Sequence, residues 1–174
     1  MKTLEQIKKL IRNVPDFPKP GIMFKDITPM LKDPAGFDLT IETICKNIDA
    51  SKVDMICGIE SRGFIFASAV AARLKKGFVP IRKAGKLPWE TFQVKYALEY
   101  GEDSLEIHTD AFSTGSRAVL VDDLLATGGT AKASCELIEK AGGTVDSVHF
   151  VIELSFLNGR NLLKERRVNS LITY

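Results

Sequence analysis

The stretch VLVDDLLATGGTA, residues 119–131, contains the strongest signal for the fold of this chain. An apolar run ends in two adjacent acids, Asp122 and Asp123, and a loop of small and hydroxylated residues then leads into a helical pattern. Short apolar runs of this kind are typical of buried strands in parallel sheets, and ligands bind beyond the carboxyl ends of such strands. The stretch therefore predicts a binding site where one strand passes into the next helix.

The loop of this stretch has the chemistry of a phosphate site, and it consists of Ala126, Thr127, Gly128, Gly129 and Thr130. It meets the N-terminus of a helix, where free N–H groups and the helix dipole favour an anion. The two glycines let the backbone curl closely around that anion, and the two threonines add hydroxyl donors. The aspartates suit hydroxyl groups or a metal, so a sugar phosphate with vicinal hydroxyls would satisfy loop and acids together.

The rest of the chain repeats the strand–helix pattern of this stretch. Four further runs are short and apolar: 53–59, 77–83, 147–154 and 168–174. Helical patterns at 61–74 and 131–140 alternate with them. This alternation predicts an α/β fold with a parallel, Rossmann-like sheet of about five strands flanked by helices.

Two segments depart from that pattern. Residues 4–14 carry apolar side chains on one helical face, which predicts an amphipathic helix packed on its own domain or on a partner subunit. The proline-rich residues 15–21 end it, and Asp33 would cap a second helix that begins at Pro34. Between the second and third strands, two segments of mixed polarity surround residues 101–104, which predicts a projecting β-hairpin.

Composition excludes several classes of protein. The 174 residues are 45% hydrophobic and 26% charged with a net charge of +2, which fits one domain over residues 1–174 and is too mildly basic for a nucleic-acid binder. The apolar runs are too short to span a membrane. Cys45, Cys57 and Cys135 are odd in number and far apart, so we expect neither a disulfide framework nor a zinc site, and we expect a cytoplasmic location.

The loop stretch resembles the motif that binds 5-phosphoribosyl-1-pyrophosphate (PRPP) in type I phosphoribosyltransferases. Other segments are similar, in order and spacing, to the adenine branch of that family: PDFPKPGIMFKDITPMLKDP, GIESRGFIFA, IRKAGKLPWET, YALEYG and LEIH. The similarity covers about residues 11–160, and the first of these segments together with LEYG favours the adenine branch. The resemblance implies the type I fold, with an N-terminal hood at residues 1–34 and a flexible hairpin lid at residues 84–109.

The resemblance also implies a reaction and its partners. Adenine and PRPP would give AMP and pyrophosphate in purine salvage, with Mg²⁺ held through substrate and water rather than by protein ligands, in a homodimer. Two alternatives stay open: a phosphoribosyltransferase for another base, such as xanthine or hypoxanthine, and a non-catalytic PRPP-sensing regulator.

The family's functional residues map onto this sequence as follows. Loop 126–130 would bind the 5-phosphate, and Asp122 and Asp123 the ribose hydroxyls. A second group would hold the diphosphate and consists of Glu60, Ser61, Arg62, Arg82, Lys83 and Lys86. A third group would handle the base: Phe24 and Leu154 on its two faces, and the backbone of Met23 and Lys25 on its polar edge. Glu99 would act as general acid near purine N7, and Tyr100 would help to close the lid.

Most of these residues also have a plainer explanation. Ser61 suits an ordinary helix cap, Phe24 suits core packing, and a basic cluster or a lone glutamate such as Glu99 is most often solvated. Only the surrounding motifs favour the functional assignments. Many relatives carry Arg where this chain has Lys25, which leaves any contact of that side chain with the base open.

Overall fold

The structure is a computed structural model that describes residues 3–97 and 102–174. Residue contacts divide the chain into two compact units, Met1–Thr43 and Ile44–Tyr174. The α-helices of the described residues are α1 (Leu4–Lys9), α2 (Thr28–Lys32), α3 (Pro34–Lys46), α4 (Arg62–Leu74) and α5 (Gly129–Lys140). The β-strands there are β1 (Arg12–Val14), β2 (Phe24–Asp26), β3 (Met55–Ile59), β4 (Gly77–Lys83), β5 (Thr91–Ala97), β6 (Glu102–His108), β7 (Arg117–Leu125), β8 (Thr144–Glu153) and β9 (Val168–Thr173).

The first unit corrects the prediction for residues 4–14. The helix α1 stops at Lys9, and residues 12–14 form the strand β1, which pairs antiparallel with β2. The pairing places Arg12 opposite Asp26, and their side chains form an ion pair of 2.8 Å. The helical periodicity therefore overestimated the helix, because residues 12–14 find backbone partners in β2. The predicted cap is confirmed, since Asp33 accepts a 2.6 Å hydrogen bond from the backbone N–H of Gly36 in α3.

The second unit is built on a seven-stranded sheet in the order β5-β6-β4-β3-β7-β8-β9. Five of these strands, β4, β3, β7, β8 and β9, run parallel, as predicted. Strands β3, β7 and β8 are buried along most of their length. Burial on both faces explains why these strands are continuous apolar runs rather than alternating ones.

The predicted hairpin is formed by β5 and β6, and it extends the sheet beyond the five strands expected. It joins the edge at β4 through the pairs Arg82–Glu106 and Lys83–Leu105. The turn was expected around residues 101–104, but residues 102–104 lie within β6, opposite residues 95–97 of β5. The connection falls on residues 98–101, which lie outside the described residues.

Strand β4 has a proline near its middle. The carbonyl of Ile81 accepts a hydrogen bond from the Glu60 N–H, so the backbone groups of Ile81 point towards β3 and those of Pro80 point the opposite way. The hairpin pairs with β4 only from Arg82 onwards among the described residues. Pro80 therefore places a position without an N–H donor on the outer side of β4, just before the residues that pair with the hairpin.

One buried histidine belongs to the core of the second unit. His149 of β8 is 1% exposed, and its Nε2 lies 3.0 Å from the Ser147 hydroxyl. Its Nδ1 has no hydrogen-bond partner among the described residues. Burial, with the nearby charge of Arg167, lowers the pKa of His149 to about 4 against an opposing effect of Asp146. The imidazole is therefore neutral in the folded protein at physiological pH.

His149 should make folding sensitive to acid. A folded pKa of about 4 lies below the unfolded value near 6.5, so the unfolded chain takes up the proton first as the pH falls. The stabilisation is complete above pH 6.5 and is lost between pH 6.5 and 4. We expect His149 to account for about 2 kcal/mol of the loss in unfolding free energy between pH 7.5 and pH 5. Urea titrations of the parent and of His149→Gln at both pH values measure this share, and equal pH dependence in the two proteins would contradict it.

No helix in residues 3–97 and 102–174 combines the length and the apolar character needed to cross a membrane.

Candidate active site

The passage from β7 to α5 is present as predicted but with other bounds, because Asp122 and Asp123 lie within β7 rather than at its end, and Gly129 and Thr130 belong to the first turn of α5. β7 ends at Leu125, the loop follows, and α5 begins at Gly129. Gly128 precedes the helix with φ +87°, a left-handed conformation that glycine adopts without steric cost. Its carbonyl accepts a 2.9 Å hydrogen bond from the Lys132 N–H, which starts the helical ladder. The first N–H groups of α5 are thus presented at the end of a buried parallel strand.

A cavity of about 240 Å³ opens at this passage. Its walls include Arg62, Asp122 and Asp123. The loop contributes Ala126, Thr127, Gly128 and Thr130. The structure therefore brings the acid pair, Arg62 and most of the predicted phosphate loop to one place. Gly129 lines a neighbouring cavity with Tyr96.

The acid pair lies in an electrostatically demanding position. Asp123 is 5% exposed and forms a 2.7 Å ion pair with Arg62, while Asp122 is partly exposed and accepts a 2.9 Å hydrogen bond from the Asp123 N–H. Burial raises the pKa of both carboxyls, and the charge of Asp123 raises that of Asp122 further, against the lowering effect of Arg62. Such an arrangement favours any ligand that brings hydroxyl donors or positive charge to the pair.

Gly63 also shapes this site, and the sequence analysis gave it no individual role. A methyl group on Gly63 would lie 2.5 Å from Oδ1 of Asp122 and 3.3 Å from its Cα. Only glycine lets the first turn of α4 approach β7 closely enough for Arg62 to reach Asp123. The glycine directly after Arg62 in ESRG was the available signal.

The remaining predicted diphosphate residues lie outside the walls of this cavity, among the described residues. Arg82 binds both carboxylate oxygens of Glu60, at 3.0 and 3.2 Å, and the Lys83 N–H donates to the same carboxylate. These bonds lower the pKa of Glu60. Arg82 also donates to the carbonyl of Lys86 at 2.9 Å. Glu60 and Arg82 thus form an ordered support next to the start of α4.

The loop between β3 and α4 leads into the helix at Ser61. The peptide bond between Glu60 and Ser61 is cis. Ser61 occupies the position before α4, but its side chain makes no capping hydrogen bond within the described residues. The plain helix-cap explanation of Ser61 therefore lacks its defining contact.

The hairpin lies next to the start of α5, because Tyr96 of β5 lines one cavity with Gly129. The Tyr96 hydroxyl donates a hydrogen bond of 3.4 Å to Asp103. Asp103 forms a 3.2 Å ion pair with Lys83. The predicted residues Glu99 and Tyr100 lie outside the described residues.

The predicted base-binding residues fall in both units. Phe24 and Lys25 lie in β2 and Met23 directly precedes it, whereas Leu154 follows β8 and is 9% exposed. The ring of Phe24 packs edge-on against Phe17, with 5.0 Å between ring centroids. The Lys25 ammonium donates a 2.7 Å hydrogen bond to the side chain of Asn13. The Lys25 side chain is therefore engaged within its own unit.

Cavity size does not identify the site. A larger cavity of about 460 Å³ lies between α5 and residues 161–166. Its walls mix acidic and basic side chains, such as Glu136, Glu139 and Arg166, with the buried Cys135. Burial raises the pKa of the Cys135 thiol to about 12, so this sulfur is not a ready nucleophile. Of these two cavities, only the smaller one combines an acid pair with the N-terminus of α5.

Comparisons with known proteins agree with this geometry. The family model described as phosphoribosyl transferase domain matches residues 30–167. An adenine phosphoribosyltransferase from Thermoanaerobacter sp. (strain X514) is 56% identical over 172 residues, which cover 99% of each chain.

Solved structures extend the comparison to the fold. The structure of adenine phosphoribosyltransferase from Thermoanaerobacter pseudethanolicus matches with a TM-score of 0.96 and 56% identity, over 99% of this chain and 100% of that one. The enzyme of that name from Saccharomyces cerevisiae, in complex with D-2,5-dideoxy-2,5-imino-altritol 1,6-bisphosphate and adenine, matches with a TM-score of 0.92 and 41% identity over 97% of each chain. The chain belongs to the adenine phosphoribosyltransferase branch of the phosphoribosyltransferase family.

Proposed function

We propose that this chain transfers the 5-phosphoribosyl group of PRPP to adenine and releases AMP and pyrophosphate. One observation supports this most directly: the acid pair, Arg62 and the loop before α5 line a single cavity. A site for a phosphate monoester thereby adjoins a site for a diol, and the two together fit a ribose 5-phosphate.

The 5-phosphate would bind to loop 126–130. The N–H groups at the start of α5 have no partners within the helix and lie at its positive end, so they bind an anion without reorganisation. The hydroxyls of Thr127 and Thr130 would complete the ring of donors.

Asp122 and Asp123 would accept hydrogen bonds from the ribose hydroxyls. Bond breaking at the anomeric carbon leaves positive charge on the ribose ring in an oxocarbenium-like transition state. Two carboxylates fixed beside that ring stabilise this charge more than they stabilise neutral PRPP ribose. The charge of Asp123, which raises the pKa of Asp122 in the free protein, is thereby offset as positive charge develops on the ring.

The diphosphate would bind near the start of α4. Arg62 supplies a fork of donors, and the backbone at Glu60 and Ser61 lies at a second strand end that leads into a helix. Arg82, Lys83 and Lys86 would add positive charge from the neighbouring strand end, with Glu60 holding Arg82 in place.

Adenine would be held by Phe24 and Leu154 on its two faces and by the backbone of Met23 and Lys25 at its edge. The 6-amino group of adenine donates hydrogen bonds, whereas the 6-oxo group of hypoxanthine accepts them. Backbone groups in a dry pocket discriminate between these bases because a mismatch leaves polar groups unpaired.

The hairpin would act as a lid. Glu99 would donate a proton near purine N7, and Tyr100 would help to exclude water from the reacting carbon. The cavity that Tyr96 and Gly129 line together supports this role, because it lies between strand β5 of the hairpin and the phosphate loop.

The site also fits Mg²⁺ brought in by the substrate. Asp122 and Asp123 line the cavity, and their carboxylates would accept hydrogen bonds from the water of a hard ion that is held by substrate oxygens rather than by protein ligands. The described residues contain no group of three or more His, Cys, Asp or Glu side chains able to hold a metal. When bound, the ion would offset the charge of the diphosphate leaving group.

Purine salvage in the cytoplasm, by a homodimer, completes the proposal. The three thiols are unpaired, as suits a reducing compartment. The homodimer rests on family analogy, and sedimentation equilibrium tests it: a monomer at micromolar concentration would rule it out.

The proposed reaction is tested by incubating the purified protein with adenine, PRPP and Mg²⁺. We expect AMP and pyrophosphate in equal amounts. A panel of adenine, hypoxanthine, guanine and xanthine separates this enzyme from one for another base. PRPP binding without release of pyrophosphate on addition of adenine would instead identify a regulator and overturn the proposal.

A further inference from the structure

A turn that follows β8 lies directly against the phosphate loop. A methyl group on Gly159 would collide with the carbonyl oxygen of Ala126, and a methyl group on Gly128 would collide with the carbonyl oxygen of Gly159. Both glycines are buried. The backbones of the loop and of this turn, residues 158–160, are therefore packed together with no room for a side chain between them.

A single arginine holds this turn in place. Arg160 binds both carboxylate oxygens of Glu153, the last residue of β8, through Nε and Nη2 at 2.7 Å each. It also donates to the carbonyl of Val168 at 3.0 Å and to the hydroxyl of Ser170 at 3.3 Å, both in β9. The planar guanidinium thus ties the turn to the ends of two neighbouring strands.

The Glu153 carboxylate is buried, and its ion pair with Arg160 depends on the geometry of the guanidinium. Its side chain is 8% exposed, and the hydrogen bonds from Arg160 lower its pKa. A lysine at position 160 would supply the charge but not two parallel N–H donors. The arrangement therefore needs the shape of arginine and not only its charge.

We propose that Arg160 and Gly159 are positioning residues for phosphate binding: Arg160, anchored on Glu153, fixes the turn whose Gly159 sets the position of loop residues 126–128. This inference rests on the proposed function, because it assigns the loop to the 5-phosphate of PRPP. Arg160 is absent from the walls of the candidate active-site cavity, so it acts through the loop and not by touching the ligand.

The expected effect is selective for ligands that carry the 5-phosphate. Amide donors displaced by a fraction of an ångström bind a phosphate less well, whereas adenine would bind chiefly through Met23, Phe24 and Lys25, which belong to the other compact unit. Loss of global stability would instead weaken all ligands together. The contrast between phosphate and base affinities therefore separates positioning from simple structural support.

The experiment uses Arg160→Lys and Gly159→Ala in the full chain. Calorimetry with ribose 5-phosphate gives the affinity for the phosphate group, and initial rates give KM for PRPP and, at saturating PRPP, KM for adenine. We expect the Kd for ribose 5-phosphate and KM for PRPP to rise about tenfold in Arg160→Lys, and more in Gly159→Ala, with KM for adenine changed less than about twofold.

The matched control is Arg167→Lys. Arg167 has similar exposure to Arg160 and also binds a carboxylate, that of Asp146 at 2.8 Å, away from the loop. It should keep the parent constants. The inference would be overturned by an unchanged Kd for ribose 5-phosphate in Arg160→Lys. It would also be overturned if the affinities for phosphate and adenine fell in parallel and the melting temperature dropped. In both cases the proposed function would stand as long as the parent protein is active. A parent that binds no ribose 5-phosphate would overturn both.

Discussion

Replacing Asp122 and Asp123 together by asparagine should reduce kcat for AMP formation by about a thousandfold. Asparagine keeps the size of the side chains and most of their hydrogen-bonding capacity, but it removes the negative charge beside the ribose. Because that charge acts mainly on the cationic transition state, KM for PRPP should change far less than kcat. Steady-state assays of AMP formation measure both quantities.

Stability separates this effect from unfolding. Burial raises the pKa of both carboxyls in the folded chain, and the charge of Asp123 raises that of Asp122 further, so their ionised forms destabilise the fold at neutral pH relative to the unfolded state. The double variant should therefore melt no lower than the parent at pH 7. Asp38→Asn, which removes an exposed carboxylate on α3, is the matched control and should keep parent activity. Full turnover in the double variant would refute the role of the acid pair.

Replacing Glu99 by leucine should lower kcat by about a hundredfold or more while leaving PRPP affinity nearly unchanged. General acids contribute about 10²–10⁴ to enzymatic rates, and leucine has no proton to donate. Glu99 was assigned from the LEYG motif and lies outside the described residues, so kinetics rather than geometry must test it. Steady-state rates and calorimetry with PRPP provide the two measurements.

The pH profile gives a second, independent readout for Glu99. A general acid must be protonated, so parent kcat should fall above the pKa of that group, and Glu99→Gln should lose this basic limb. Glu99→Asp keeps the acid on a shorter side chain and should retain the limb at reduced rate. A parent-like kcat in Glu99→Leu would remove Glu99 from the mechanism.

The sequence sufficed for the parts of the fold that local chemistry determines. The five parallel strands follow from continuous apolar runs, and the helix after the glycine pair was predicted as well, although it begins at Gly129, two residues before the predicted start. Residues 12–14 were placed wrongly in a helix because their strand partner, β2, lies ten residues further along the chain. Periodicity measures local preference and contains no information about such pairing.

The site shows the same division. The loop, the acid pair and Arg62 could be proposed from motifs, and the structure places the acid pair, Arg62 and four of the five loop residues around one cavity. The support behind them could not be assigned. Arg160 contacts Glu153 and β9, and Gly159 contacts Ala126 across more than thirty positions of sequence. Contacts of this kind depend on the register of β8 and β9, and a short sequence motif contains no information about that register.

Pro80 has a consequence for how this protein behaves at high concentration. An open strand edge invites backbone pairing with another molecule, which is a common route to aggregation. On the outer side of β4, Pro80 removes a donor, and the hairpin covers the residues that follow. Without the hairpin, the outer edge of β4 would be open from Arg82 onwards, so we expect a shortened form that lacks the hairpin to aggregate more readily than the full chain.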